Sequence, residues 1–144
     1  ILRNVIEFAN KLGITRPKVA ILSGTEDPIK SLPSSMDALE IMKRSKEENL
    51  KADVFGPLAF DNSVSIKAAK IKNIKNSVAG NADILLVPNL ETGNSLTKMM
   101  VYFMSACAAG IVVGGKVPIV VTSRADDMES RLASIAAAVI ASKK

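Results

Sequence analysis

The feature that most constrains this chain is the form of its apolar runs. Val19-Ala20-Ile21-Leu22, Ile84-Leu85-Leu86-Val87, Ile111-Val112-Val113 and Pro118-Ile119-Val120-Val121 are short and continuous rather than alternating, and Ala52-Asp53-Val54-Phe55 reads as a further strand. A continuous run suits a strand buried on both faces, the condition inside a parallel sheet covered on two sides. Between the runs lie segments with helical spacing: Ile1 to Leu12, stopped by Gly13; Met36 to Leu50; the Lys-rich Ser63 to Ile74; Leu96 to Ala108; and the Ala-rich Ala125 to Ser142. Pro28 and Pro33 are expected to break helix in the loop Thr25 to Ser35, with Ser34 or Ser35 capping the helix that follows. Gly56-Pro57 is expected to end the second strand. Alternating strands and helices predict an α/β fold, a mostly parallel sheet with helices on both faces.

Ligands of such sheets collect at the carboxyl ends of the strands. The loops there are Ser23 to Ser35, Gly56 to Asn62, Pro88 to Asn94 and Thr122 to Asp127, and the search for a site narrows to them.

Composition removes whole classes of chemistry. The 144 residues suit one domain or part of a larger enzyme. With no histidine, the chain holds no Ser-His-Asp or Cys-His machinery and no histidine metal site. The single cysteine, Cys107, forms no internal disulfide or Cys-pair metal site, and fits a reducing, cytoplasmic setting. In an apolar helix it reads as a buried structural thiol. A net charge of +5 suits an anionic partner. Aromatic residues are only 3%, too few for a base-stacking platform, so a phosphorylated small molecule is expected rather than nucleic acid. The chain opens Ile1-Leu2-Arg3-Asn4, without Met or a signal peptide, which suggests a fragment. Met99 to Gly115 carries no charge over 17 residues, but it holds Ser105 and three glycines and reads as a buried helix and strand, not a membrane span.

Each candidate motif has a plain alternative. Gly110 to Val117 nearly spells a P-loop, yet Val117 stands where a magnesium-binding hydroxyl belongs and Ile-Val-Val fills the interior, so a nucleoside-triphosphate site is rejected. In Thr122-Ser123-Arg124-Ala125-Asp126-Asp127, helix capping explains Ser123, Asp126 and Asp127 but not Arg124, a cation at a helix N-terminus. A bound phosphate there, held by Arg124, the Ser123 hydroxyl and backbone N–H groups, would resolve the conflict. Gly93 and Asn94 suit either a turn with an Asn cap or close approach to a ligand. Leu58 and Phe60 make the loop Gly56 to Asn62 apolar, as a subunit contact or a pocket wall. Lys67, Lys70, Lys72 and Lys75 suit a solvated face, or contact with an anionic cofactor.

Taken in order, Val19-Ala20-Ile21-Leu22-Ser23, Pro33-Ser34-Ser35-Met36-Asp37-Ala38, Gly56-Pro57-Leu58-Ala59-Phe60-Asp61-Asn62, Ala82 to Pro88 with Gly93-Asn94, and Thr122-Ser123-Arg124 resemble the C-terminal half of the phosphate acetyltransferase/phosphate butyryltransferase family. They also resemble the transferase part of bifunctional enoyl-CoA hydratase/phosphate acetyltransferases. The resemblance covers nearly the whole chain, 1–144. It implies an isocitrate/isopropylmalate dehydrogenase-like fold, here as a fragment of a two-domain homodimeric enzyme lacking most of its first domain. It implies the reversible reaction of acyl-CoA with phosphate to give acyl phosphate and CoA, with CoA as substrate and no tightly bound cofactor or metal.

By the same resemblance Ser123 and Arg124 match the Ser-Arg pair at the phosphate, and Ser23, Asp61, Asn62, Gly93 and Asn94 are the expected substrate-binding residues. The acetyltransferase branch has a catalytic aspartate six residues after that arginine. Ser130 stands there, so the base that deprotonates CoA is sought among Glu129, Asp126 and Asp127. Two rivals differ in class. A dehydrogenase of the same fold superfamily would show metal-binding aspartates and a dinucleotide loop. A non-catalytic acyl-CoA-binding regulatory domain would trail a malic enzyme.

Overall fold

A computed structural model describes residues 1–143. Eleven elements follow one another: α1 (Leu2–Lys11), β1 (Lys18–Leu22), α2 (Pro33–Glu47), β2 (Asp53–Leu58), α3 (Phe60–Val64), α4 (Ile66–Ile71), β3 (Ile84–Leu86), α5 (Leu90–Met104), β4 (Ile111–Val112), β5 (Ile119–Val120) and α6 (Met128–Ser142). They form two compact units, Thr15–Thr92 and Ile1–Ile14 with the chain from Gly93 onward.

In the unit Thr15–Thr92 a parallel sheet has the order β2-β1-β3, with Val19 opposite Val54 and Ile84. The most continuous apolar run, β1, takes the centre, and its Val19 and Ala20 are fully buried. Ala20, Leu58 and Val78 form the core, packed by Phe55, Ile74, Ala82 and Leu85. Leu58 is thus spent inside the unit and is not a subunit contact, while Phe60 remains 42% exposed.

Three expected boundaries move. Gly56-Pro57 does not stop β2, which runs through a cis Gly56-Pro57 bond to Leu58. Proline is tolerated because β2 is an edge strand. Gly56 is needed because a Cβ there would lie 2.8 Å from the Ile21 carbonyl oxygen, where the register with β1 shifts. Pro33 starts α2 instead of breaking it, since a first-turn residue has no intrahelical partner for its N–H. Neither Ser34 nor Ser35 caps that helix. Leu32 holds the cap position, and the buried Ser35 hydroxyl accepts the Ile29 N–H at 2.8 Å. The Lys-rich helix is two helices, split at Ser65, whose hydroxyl accepts the Ala68 N–H and caps α4.

In the other unit, β4 and β5 form a separate antiparallel hairpin, Val112 opposite Ile119. The mostly parallel sheet therefore does not include them. Their connection, Val113 to Pro118, is too short for the crossover that parallel strands require. It turns at Gly114, whose φ of 103° is open to glycine, and a hairpin is no P-loop. On α6, Ser130, Ser134 and Ala138 face inward while Leu132, Ile135 and Val139 are exposed. Ser134 explains the inversion: its hydroxyl accepts the Gly110 N–H at 3.0 Å and donates to the Ser130 carbonyl at 2.8 Å. Among the described residues no helix is long and apolar enough to cross a membrane. The charge-free run breaks after Met104, where Ser105 takes a φ of 54°.

Candidate active site

The first cluster lies at the carboxyl ends of β1 and β2. Ser23 leaves β1 with its N–H donated to the Leu58 carbonyl at 2.9 Å and its hydroxyl 3.0 Å from that of Ser34. Asp61 and Asn62 lie on α3 rather than in a loop. Asn62 is fully buried, and its Nδ2 donates to Glu26 Oε1. The same carboxylate oxygen accepts a hydrogen bond from Lys72 Nζ at 2.7 Å, and Lys72 also lies 3.2 Å from Asp61 Oδ2. The Lys72 ammonium, by hydrogen bonding, holds the carboxyls of Glu26 and Asp61 below their ordinary range, and the hydrogen bonds to Glu26 and then Asp61 raise Lys72 in turn. Glu26 and Lys72 thus join Asp61 to Asn62, while Ser23 contacts Ser34 and Leu58 instead. Glu26 was not anticipated, because one acid in the Thr25-Glu26-Asp27 stretch carries no periodicity, and Lys72 was hidden in a basic run.

Gly93 and Asn94 are not in a loop. The helix α5 begins at Leu90, and Asn89, not Asn94, acts at its start: Asn89 Oδ1 accepts the Thr92 N–H and the Thr92 hydroxyl, each at 2.8 Å. Gly93 then needs no special backbone, and Asn94 is exposed on the helix.

The second cluster follows β5. Asp126 Oδ2 accepts the Ser123 N–H at 2.6 Å, and the Asp126 N–H donates to the Ser123 carbonyl at 3.2 Å. These bonds close a turn with Arg124 and Ala125 at its tip, both exposed. The helix α6 starts at Met128, with Asp127 as its cap: Asp127 Oδ1 accepts the Ser130 N–H at 2.8 Å, which lowers the Asp127 carboxyl. Ser123 is thus no helix cap, and Arg124 does not open the helix. The acid at the cap was the stronger competitor because its carboxylate also complements the helix dipole. Arg131, unremarked in the sequence, donates from Nε to the Asp126 carbonyl at 3.1 Å and braces the turn.

A cavity of about 360 Å³ is lined by Asp126, Asp127, Glu129, Ser130, Cys107 and Tyr102, among others. Ser130 is buried, 4.0 Å from the Cys107 sulfur, and its hydroxyl cannot replace a carboxylate base. Cys107 itself is exposed, not the buried thiol expected. A larger cavity of about 640 Å³, between α1 and the Gly114–Pro118 turn, holds none of the expected site residues.

The sequence profile of the family described as phosphate acetyl/butaryl transferase matches residues 1–139. The chain is 45% identical over 141 residues to a phosphate acetyltransferase of Rhizobium meliloti, covering 97% of this chain and 45% of that protein. It is 42% identical over 146 residues to a phosphate butyryltransferase of Clostridium acetobutylicum, covering 100% of this chain and 48% of the relative. The crystal structure of a branched-chain phosphotransacylase from Enterococcus faecalis superposes with a TM-score of 0.89 at 39% identity, over 99% of this chain and 51% of that one. The chain thus spans about half the length of the relatives it matches. With that match over nearly all of its length, the chain belongs to the phosphate acetyl/butaryl transferase family.

Proposed function

We propose that the protein is a phosphate acyltransferase that moves an acetyl or butyryl group reversibly between CoA and inorganic phosphate. The observation that carries this reading is the closed Ser123–Asp126 turn with Arg124 at its tip, in a chain of this family. In one direction a phosphate oxygen attacks the thioester carbonyl, the C–S bond breaks and CoA leaves as a thiolate that takes up a proton. In the other, the thiol gives its proton to a base, the thiolate attacks the acyl carbonyl of the acyl phosphate, and phosphate leaves with the C–O bonding pair.

Arg124 grips two phosphate oxygens, as only a guanidinium can. The Ser123 hydroxyl accepts only a long 3.4 Å bond from the Ala125 N–H, so its proton is available to the phosphate. Asp126 closes the turn and Asp127 caps α6. A carboxyl lowered by its cap hydrogen bonds is the weaker base, so Glu129, exposed on the first turn of α6, is assigned to deprotonate CoA. Ser23 and Asp61, at the sheet's carboxyl edge, are assigned to acyl-CoA. Asn62 is fully buried and acts through Glu26. Gly93 and the exposed Asn94, on the first turns of α5, complete the assigned binding groups.

CoA is a substrate in this reading, and no cofactor is tightly bound. The working enzyme is a cytoplasmic homodimer of two-domain, isocitrate/isopropylmalate dehydrogenase-like subunits, and nucleic acid is not a partner. An assay with acetyl-CoA or butyryl-CoA and phosphate should release CoA and form the acyl phosphate. Release of CoA that does not depend on phosphate would refute the assignment.

A further inference from the structure

Lys72 stands in a basic run where a solvated lysine would pass unnoticed, yet it is held by two acids from different parts of the chain. Glu26 lies in the segment after β1 and Asp61 on α3 after β2, and the ammonium is 2.7 Å from one and 3.2 Å from the other. The contact reaches further inward. Glu26 Oε1 also accepts from Nδ2 of the fully buried Asn62, so one carboxylate oxygen joins Lys72 to the interior of α3. Asn62 Oδ1 is the one buried side-chain polar atom among the described residues with no hydrogen-bond partner. The Asn62 side chain is therefore held through its amide donor alone, and that donor depends on the place of Glu26, while the Asn62 backbone carbonyl accepts the Gly80 N–H at 2.8 Å. A five-residue helix such as α3 has too few internal bonds to hold itself.

Electrostatics adds a second role. Glu26 and Asp61 put two negative charges at the sheet edge where acyl-CoA, itself a polyanion, is assigned. Without Lys72 they would face that ligand uncompensated.

We propose that Lys72 is a positioning residue for acyl-CoA, clamping the segments after β1 and β2 together through Glu26 and Asp61 and offsetting one of their two negative charges at the binding edge. This rests on the transferase reading above. The clamp acts on binding and not on the reacting atoms, so it should be seen in KM more than in kcat.

The test compares the wild-type protein with Lys72→Met and Lys72→Arg, measuring acyl-CoA kinetics at low salt and at about 0.5 M salt, where exposed charges are largely screened. Lys72→Met should raise the KM for acyl-CoA about tenfold at low salt with kcat within about twofold, and the gap should narrow in high salt. Lys72→Arg should restore KM to within about threefold of wild type, because it keeps the charge and both hydrogen bonds. An unchanged KM, a loss of kcat alone, or a KM rise that neither salt nor arginine relieves would overturn the clamp. If the wild-type protein releases no CoA, the transferase reading fails by itself. Calorimetric affinity of the three proteins for acyl-CoA then decides the clamp, and equal affinities would end it.

Discussion

The Asp126 carboxylate accepts the Ser123 backbone N–H at 2.6 Å, and the Ser123 carbonyl takes the Asp126 N–H at 3.2 Å. This reciprocal pair closes a turn from residues that look like an ordinary helix start. It also gives Asp126 a task other than proton transfer. Asp126→Ala should leave the Ser123 N–H without its partner and loosen the turn. The kcat/KM for phosphate should fall at least about tenfold, through a higher KM, while the fold is kept. Initial rates at varied phosphate, with circular dichroism as the control for folding, would check this.

Arg124 sits four residues before α6, so its value does not come from opposing that helix's dipole. In the reaction proposed above it comes from the geometry of the guanidinium at the tip of the closed turn. Arg124→Lys should keep the fold and lose on the order of 2–4 kcal/mol of transition-state stabilisation, like removal of one strong preorganised donor. Arg124→Ala should be no better, and phosphate should no longer raise its thermal midpoint. Near-wild-type kcat/KM for phosphate in Arg124→Lys would reduce Arg124 to a surface residue.

Glu129 should carry the acid–base work. Glu129→Gln should lower kcat on the order of 10²-fold or more in the direction that consumes CoA, with a smaller change in KM. Asp127→Asn, which keeps a cap acceptor, should cost much less activity. Steady-state rates for the two variants side by side decide between them, and a larger loss in Asp127→Asn would reverse the assignment.

Asp127 links stability to acid. Its carboxyl is lowered by the backbone and side-chain hydrogen bonds of Ser130, so it favours the folded state above its ordinary 3.8. That contribution disappears as pH falls through the lower folded value. Asp127→Asn should therefore lower the thermal midpoint at neutral pH, and the difference from wild type should shrink toward strongly acidic pH. Melting curves across the acid range would show it, and a pH-independent difference would count against the link.

The exposed side of α5 should be a subunit contact. Tyr102, Phe103 and Met104 are 66%, 87% and 68% exposed, a costly display for a free surface. Phe103→Glu should shift the protein from dimer to monomer at micromolar concentration in sedimentation. An unchanged dimer would place the interface elsewhere.

What the sequence determined by itself was whatever local pattern dictates. Continuous apolar runs set β1 and β3 in a parallel sheet, with β1 buried on both faces. The absence of histidine removed whole classes of chemistry, and the order of the short motifs carried the resemblance to the family. The boundaries went differently where long-range contacts compete with local preference. Pro57 continues a strand because β2 is at the sheet edge, and β4 and β5 pair with each other because their connection is too short for a crossover. The cap of α6 went to Asp127 once Asp126 was committed to Ser123. The joining of Lys72 to Glu26 was beyond the sequence altogether. The two are 46 residues apart, and no periodicity records which charges meet when strands pair side by side and bring their ends together. Local chemistry chose the elements, and tertiary packing chose the partners of each charged group.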